Sequence, residues 1–316
     1  MIRRPSKKTR VETRLRELLH PVKHKWIPLF SFLFIIPVLM SFGQLSDSIP
    51  SPVKKSRLKS VVIGTGLAYT ASMIGLSQVW YNQYAHQSFR FFDDAREWKQ
   101  VDKMGHFYSA FHLSSIGSQS LQWCSLPQRK SDRIGALTSF VVVSSIEIFD
   151  GFSAGYGASA TDLLANACGT GFYLGQRLGW NEIRIYPKFS FHRTSLASSS
   201  PNNLLGSGLS EVLKDYNGQT YWLSADMDKF IRFPKWLNIS AGYGADNMIF
   251  ARDNQNLATG YKPYRQYYLG LDFDLTAFKT KSKVLNTLIY FANLIRLPAP
   301  ALEFSQGKVK GYFLYF

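Results

Sequence analysis

The stretch VDKMGHFYSAFH, residues 101 to 112, sets acidic, basic and imidazole side chains among aromatic and small residues. In a helix, Asp102 and His106 stand four positions apart and therefore share one face. His112 lies about 80 degrees from Asp102 around the helix axis, so we do not expect it to join them. Such groups can carry out acid–base chemistry, bind a metal ion, or hold helices together.

Polar side chains also interrupt two later apolar segments. Glu147 and Asp150 lie three positions apart in the first segment, and Asp162 and Asn166 lie four apart in the second, so each pair shares a helix face. Because burying a lone charge is costly, we expect these groups to meet partners in the core of a helical bundle. Lys103 is placed to neutralise one of the carboxylates.

Three interpretations of these residues stay open. A divalent metal ion could be bound by carboxylates and a histidine from facing helices; its candidate ligands are His106, Glu147, Asp150 and Asp162. An enzyme without a metal would use His106 as acid or base, with Glu147 and Asp162 as carboxylate partners. The sequence lacks HExxH, and residues 57–180 lack the Glu-x-x-His pairing of di-iron bundles.

The third interpretation, a structural polar network, is the favoured one, because such a network needs satisfied hydrogen bonds and no reactivity. Its candidate members are Asp102, Lys103, His106, Glu147, Asp150, Asp162 and Asn166. We therefore expect no cofactor, with a divalent metal ion as the alternative, and we favour a role other than catalysis.

The basic charge is concentrated at the N-terminus. The chain has 316 residues and a formal charge of +16; residues 1–43 hold nine Lys/Arg and two Asp/Glu, which gives 9 − 2 = +7. A basic head, the apolar run WIPLFSFLFIIPVLM and the small residues of SFGQ predict a signal peptide cleaved near Gly43 or Gln44, or else a retained anchor. No nucleic-acid-binding module accompanies the charge, so we expect no nucleic acid partner.

The predicted compartment is oxidising, yet Cys124 and Cys168 are the only cysteines. A disulfide between them is open, but two small buried thiols are favoured. No cysteine lies near the predicted cleavage site, so we expect no lipid attachment there.

The spacing of hydrophobic residues changes along the mature chain and divides it into two parts after a linker. Residues 44–56 are predicted to be a linker. A period of 3.6 over residues 57–180 predicts a membrane-associated bundle of four to five helices. The predicted helices lie at 60–85, 101–122, 133–152 and 159–178. The first is long enough to span a membrane, whereas the uncharged runs of the last two favour core helices. The segment SLPQRKSD is predicted to be a turn.

A period of 2 over residues 181–316 predicts an antiparallel β-rich domain. We count about six strands, with one helix near 282–296 and a terminal strand that ends in Phe316. An outer-membrane barrel needs at least eight strands. The sheet is therefore expected to lie on a membrane or a partner, or to be a small periplasmic sheet. The predicted fold class is α+β.

DKMGHF, IEIFDGF and SATDLLANACGTGFYLGQ resemble the YfiM-like family of uncharacterised bacterial envelope proteins. They are also similar to VanZ-like motifs, which run D-K-x-x-H-F, E-x-x-Q and D-L-x-A-N-x-x-G. The matching positions, within about 95–178, are Asp102, Lys103, His106, Phe107, Glu147, Asp162, Leu163, Ala165, Asn166 and Gly169. The chain departs from the VanZ-like pattern at Asp150, which replaces Gln, and no Arg precedes the last motif.

The resemblance implies a helical fold and an envelope location, and it supplies no agreed reaction. The β-rich tail resembles the C-terminal extension of YfiM-like proteins from certain Gram-negative bacteria. We predict an exported protein at the outer membrane or periplasmic face of the Gram-negative envelope, with a structural or binding role. The alternative is an envelope hydrolase or transferase acting on lipid or cell-wall glycan. The expected partners are membrane lipid or envelope proteins.

Overall fold

The computed structural model describes residues 53–81, 84–278 and 280–316; the predicted signal peptide and most of the linker lie outside them. The α-helices are α1 Lys55–Leu76, α2 Val101–Trp123, α3 Gln128–Gly151, α4 Ala160–Gly179, α5 Ser195–Ser199, α6 Glu211–Lys214, α7 Asp253–Ala258 and α8 Lys283–Ala292. The strands are β1 Ile185–Phe191, β2 Gln219–Ala225, β3 Leu237–Asp246, β4 Tyr264–Phe273, β5 Ala299–Ser305 and β6 Lys308–Tyr315. Helices precede an antiparallel sheet, which confirms the α+β fold class.

The chain forms two compact units. Among the described residues, the first comprises 53–81, 84–93 and 113–164, and the second comprises 94–112, 165–278 and 280–316. Helices α2 and α4 therefore each supply residues to both units. The domain limits predicted from the sequence, with a boundary after residue 180, stay a prediction.

In the first unit, small residues bring α3 close to the second half of α2. A Cβ atom on Gly135 would lie 2.6 Å from the backbone nitrogen of Ser118 and 2.8 Å from the carbonyl oxygen of Ser114. One on Gly117 would lie 3.2 Å from the Cα atom of Gly135. Ser118 also donates to the buried carboxylate of Asp132 at 2.6 Å. The two glycines thus let the backbones approach at a distance that any larger side chain would prevent.

Helix α3 begins at Gln128, five residues before the predicted start, so the predicted turn shrinks to residues 124–127. Pro127 stands directly before the helix, where proline is tolerated because a missing N–H breaks no helical hydrogen bond. The polar residues that suggested a turn are part of the first helical turns, and Arg129 and Arg133 occupy the exposed side. Within the described ranges, α3 is the one helix long and apolar enough to cross a membrane by length and composition. In its apolar stretch of 18 residues, 39% of the residues are buried.

In the second unit, the six strands form one sheet in the order β1 to β6, so every strand pairs with its neighbours in sequence. Five of the strands lie where the alternation predicted them. The remaining one, β5, begins at Ala299 inside the PAPA segment, which the sequence indicated only as the end of a helix. Pro300 is tolerated there because the pairing of β5 with β6 is irregular between Ala299 and Ala301, and because pairing with β4 begins only at Ala301.

The sheet curls around a core of Trp222, Tyr268, Ala301 and Tyr315. The hydroxyl of Tyr315 on β6 donates to that of Tyr268 on β4 at 2.9 Å and lies 3.0 Å from the hydroxyl of Thr220 on β2. The last strand of the sheet order, β6, thereby contacts the second strand, β2, on the inner side of the sheet.

The inner side of the sheet is polar. The ammonium of Lys188, fully buried, donates to the Asp272 carboxylate at 2.7 Å, to the carbonyl of Phe273 at 2.7 Å and to Asn293 Oδ1 at 3.0 Å. Ser224 donates to the same carboxylate oxygen of Asp272 at 2.5 Å. The buried charge is therefore paired and surrounded by hydrogen bonds, as burial of an ion requires.

The fully buried guanidinium of Arg296 lies 4.0 Å from the ring centroid of Trp222. It donates to the carbonyl oxygens of Tyr315 and Leu271 at 2.8 Å each. A second buried cation of the inner side is thus held by an aromatic face and backbone acceptors.

Candidate functional site

At the start of α2, the ammonium of Lys103 lies between two carboxylates of the second unit. It donates to Asp94 Oδ2 at 2.6 Å and to Asp102 Oδ2 at 3.0 Å. The three side chains are only 11 to 13% exposed, so the pairs are shielded from most of the solvent. The predicted neutralisation of a carboxylate by Lys103 is therefore observed on Asp102, with Asp94 as an additional partner.

His106 and Asn166 join α2 to α4 within the second unit. The Nδ1 atom of His106 lies 3.1 Å from Oδ1 of the fully buried Asn166. Since an amide oxygen only accepts, Nδ1 carries the proton in this pair. One turn further along α4, a Cβ atom on Gly169 would lie 2.3 Å from the carbonyl oxygen of Phe107. The histidine, the amide and the glycine of the two motifs thus belong to one closely packed helix pair.

In the first unit, Glu147 secures the start of α4. Its carboxylate is 2% exposed, and Oε2 accepts the backbone N–H of Ser159 at 2.8 Å. The hydroxyl of Ser159 accepts the N–H of Asp162 at 2.9 Å, as an N-cap residue does. Asp162 lies in the first turn of α4, where the helix dipole stabilises a negative charge.

Asp150 has a different partner from Glu147, although both lie on α3. Its Oδ1 accepts the hydroxyl proton of Tyr81 at 2.7 Å. Burial raises the pKa of Tyr81 well above its ordinary value, and the charge of Asp150 adds to the shift. A cavity of about 40 Å³ adjoins Tyr81 and is lined by Met73, Tyr84, Ile146 and Phe149 among others. This volume has room for about three water molecules.

His112 does not belong with the acidic groups. Its Nε2–H donates to the carbonyl oxygen of Pro187 on β1 at 2.7 Å, and its Nδ1 has no hydrogen-bond partner. The rings of Tyr108 and Phe111 pack against the imidazole at centroid distances of 4.5 and 5.2 Å. Burial lowers the pKa of His112 from 6.5 to about 4; the hydrogen bond to Pro187 opposes the shift and the charge of Lys188 adds to it. The residue is a neutral link between α2 and β1.

Within each unit, the predicted site residues thus form small groups. The second unit joins Asp102 to Lys103 and His106 to Asn166. In the first unit, Glu147 accepts the N–H of Ser159, and the Ser159 hydroxyl accepts the N–H of Asp162. Asp150 accepts the hydroxyl proton of Tyr81. Sequence reasoning missed Asp94 as a partner of Lys103, the contact of Glu147 with the N–H of Ser159, and Tyr81 as the partner of Asp150. The segment FFDDAREW contained a signal for Asp94, because its two adjacent acidic residues lie eight and nine positions before Asp102.

The chemistry available to these groups is that of carboxylates, an imidazole and an ammonium. Carboxylate and imidazole ligands suit divalent ions such as Zn²⁺, Mg²⁺ or Mn²⁺. Between Asp94 and Asp102, however, the ammonium of Lys103 already supplies the positive charge. One oxygen of Glu147 is engaged by a backbone N–H, which is a structural use of a carboxylate. The assignment of His106, Glu147, Asp150 and Asp162 as metal ligands stays a prediction.

Each cysteine of the chain is a free thiol. Cys124 is buried against Leu121 and Leu126, as expected for a small apolar residue. Cys168 on α4 is exposed, so the prediction that both thiols are buried was wrong for this residue. Position 168 lies on the solvent side of the amphipathic helix, which the apolar character of cysteine did not indicate.

Residues 90–175 match the family model DUF2279, described as a predicted periplasmic lipoprotein. The match contains every predicted site residue and covers less than a third of the chain. It supports an exported envelope protein, while the YfiM-like and VanZ-like resemblances stay predictions. No curated protein and no solved structure shows significant similarity to the chain.

Proposed function

We propose that the protein is an exported component of the Gram-negative envelope with a structural or binding role at the outer membrane or periplasmic face. In this proposal, the polar side chains within positions 90–175 hold the helices in place. The observation that carries it is the contact of Glu147, a buried carboxylate that accepts the backbone N–H at the start of α4. An anion placed there satisfies a helix end and needs no reactivity.

The contacts of the other predicted residues support the same role. The ammonium of Lys103 forms ion pairs with Asp94 and Asp102, and His106 forms a hydrogen bond with Asn166. Each of these contacts satisfies a charge or a polar group and requires no reactivity. The N-terminal sequence pattern and the description of the matched family support the envelope location.

Two variants of Glu147 test the structural role. Glu147→Gln keeps an oxygen that can accept the N–H of Ser159, whereas Glu147→Ala removes it. We expect Glu147→Ala to lower the free energy of unfolding by about 1.5–3 kcal/mol, as for a hydrogen bond to a charged group. Glu147→Gln should retain most of this stability. Glu182→Ala is the control, because Glu182 is 40% exposed and pairs with Arg184 at the surface.

The metal content of the same proteins separates the alternatives. Elemental mass spectrometry of the detergent-purified mature protein, beside His106→Ala and Glu147→Gln, should find no stoichiometric metal in any of them. Stoichiometric metal in the native protein that both variants lose would overturn the structural role and favour a metal-dependent hydrolase or transferase. Cell fractionation tests the location separately: recovery of the uncleaved chain from the cytoplasm would contradict export.

A further inference from the structure

The curled sheet of the second unit has its polar side chains inside and its apolar side chains outside. On β4, Gln266, Tyr268 and Asp272 are buried, whereas Tyr267, Leu269 and Leu271 are exposed. The other strands repeat this pattern: the buried inner positions include Ser190, Ser224, Asn238, Ser240, Glu303 and Ser305. A sheet that faces water on its outer side shows the opposite alternation, and lipid-embedded sheets show this one.

The outward side chains form continuous rows across the strands. Leu223, Ala241, Leu269 and Leu302 stand opposite one another on β2 to β5. In the next row, Tyr267, Phe304 and Val309 are in register and exposed on β4 to β6, whereas Tyr243 on β3 packs against Val101 and Met248. Every outward position from 237 to 243 on β3 and from 267 to 273 on β4 is apolar or aromatic. These six residue steps give the apolar band a height of about 20 Å.

The connection between β2 and β3 adds aromatic and cationic side chains at one boundary of this band. Phe230, Ile231 and Trp236 are exposed there, together with Arg232 and Lys235. The ring of Trp236 stacks on that of Phe273, the last residue of β4, at a centroid distance of 6.1 Å. Aromatic rings beside Lys and Arg are typical of the level at which hydrocarbon meets headgroups. The positive charges complement anionic headgroups.

Helix α8 follows β4 at the same end of the strands and has an apolar exposed face. Its exposed side chains Val284, Leu285, Leu288 and Phe291 recur at helical spacing. A short helix with such a face is suited to lie in a membrane interface. The band, the loop and the helix thus expose apolar groups from three separate elements of one unit.

We propose that this surface, formed by the outward face of β2 to β6, the connection 226–236 and α8, inserts into a lipid bilayer that carries anionic headgroups. The proposal rests on the envelope location proposed above, which brings the sheet to a membrane. A protein partner would need only a local apolar patch, whereas the polar interior, the band and its aromatic and cationic boundary together match a bilayer. The lipid acyl chains would contact the apolar band, and the phosphate-bearing headgroups would contact Arg232 and Lys235.

Vesicle flotation of the detergent-purified mature protein tests the proposal. The vesicles contain phosphatidylethanolamine with or without phosphatidylglycerol, and the folded state is checked by circular dichroism. We expect the native protein to float with the vesicles. Leu269→Glu with Leu302→Glu should lower the bound fraction at least tenfold, because two charges would enter the hydrocarbon. Leu209→Glu is the matched control, since Leu209 is 90% exposed in the connection between β1 and β2.

Arg232→Glu with Lys235→Glu should lower binding to the anionic vesicles at least threefold and remove much of its salt dependence. Native protein that stays in solution would overturn the proposal, as would Leu269→Glu with Leu302→Glu floating as the native protein does. If the protein forms a dimer without lipid, and Leu269→Glu with Leu302→Glu dissociates that dimer, the outward face of the sheet binds a second copy of the chain instead of lipid. Export measured by fractionation is independent of these results, so an exported protein that fails to float refutes the lipid surface alone.

Discussion

The Nε2 atom of His112 on α2 and the carbonyl oxygen of Pro187 on β1 lie 2.7 Å apart. Since the carbonyl only accepts, this hydrogen bond fixes the proton on Nε2 and leaves Nδ1 unprotonated. Burial of the ring opposes a second proton, and the nearby charge of Lys188 adds to this effect. The last histidine of the opening stretch therefore contributes to stability only while it is neutral.

Stability should depend on pH through His112. The unfolded imidazole takes up a proton below about pH 6.5, whereas the folded one does so only near its lowered pKa of about 4. The stabilisation is therefore fully present above pH 6.5 and is lost as the pH falls toward 4. The pKa shift corresponds to about 3 kcal/mol.

Urea unfolding of the native protein and of His112→Gln between pH 7 and pH 4 measures this contribution. Glutamine can donate to the Pro187 carbonyl and does not titrate. The native protein should lose more stability than the variant across this range. Equal slopes for the two proteins would show that His112 is not held neutral.

Gly169 should be intolerant of a methyl group. A Cβ atom there would lie 2.3 Å from the carbonyl oxygen of Phe107 and 3.0 Å from Cβ of Ala110. Gly169→Ala should therefore lower the free energy of unfolding by about 1–3 kcal/mol. On the same helix, Gly171 has no neighbouring atom within 4 Å of such a Cβ. Gly171→Ala should stabilise by up to about 1 kcal/mol, because alanine favours a helix over glycine.

Thermal unfolding of the two glycine variants provides the comparison. If Gly169→Ala is as stable as Gly171→Ala, the helices do not approach each other as described. The pair also gives a physical reason for the glycine of the D-L-x-A-N-x-x-G motif: a backbone carbonyl occupies the place of its side chain.

The buried pair of Lys188 and Asp272 should be costly to break. Lys188→Met leaves a fully buried carboxylate without its cation and should lower the free energy of unfolding by about 3–5 kcal/mol. Lys310→Met is the control, because Lys310 is 54% exposed and 3.8 Å from Glu303, so its loss should cost about 0–1 kcal/mol. Tryptophan fluorescence during urea unfolding measures both. Equal costs would contradict the buried pair.

The sequence predicted element types well where the period was long and uninterrupted. Helices α2 and α4 lie within one residue of their predicted limits. The start of α3 was missed because the charged side chains of its first turns resemble a turn. Strand β5 was missed because Pro298 and Pro300 argued against a strand, and pairing with β4 and β6 overrides that preference.

The direction of the sheet faces could not be read from the alternation. A period of 2 separates Tyr268 from Leu269 but does not show which of them points inward. The buried partners of Asp272 come from distant segments, since Lys188 is supplied by β1 and Ser224 by β2. In the candidate site, residue types on a helix face were predictable, but the contact of Tyr81 with Asp150 spans 69 positions and depends on tertiary packing.

The contact of Tyr315 with Thr220 has a consequence for the order of assembly. Neighbouring strands of the sheet are joined by connections much shorter than the 95 positions that separate these two hydroxyls. Because the entropic cost of closing a loop rises with its length, pairing of neighbours should precede this contact. The polar interior should therefore close last, when the tyrosine of β6 reaches β2.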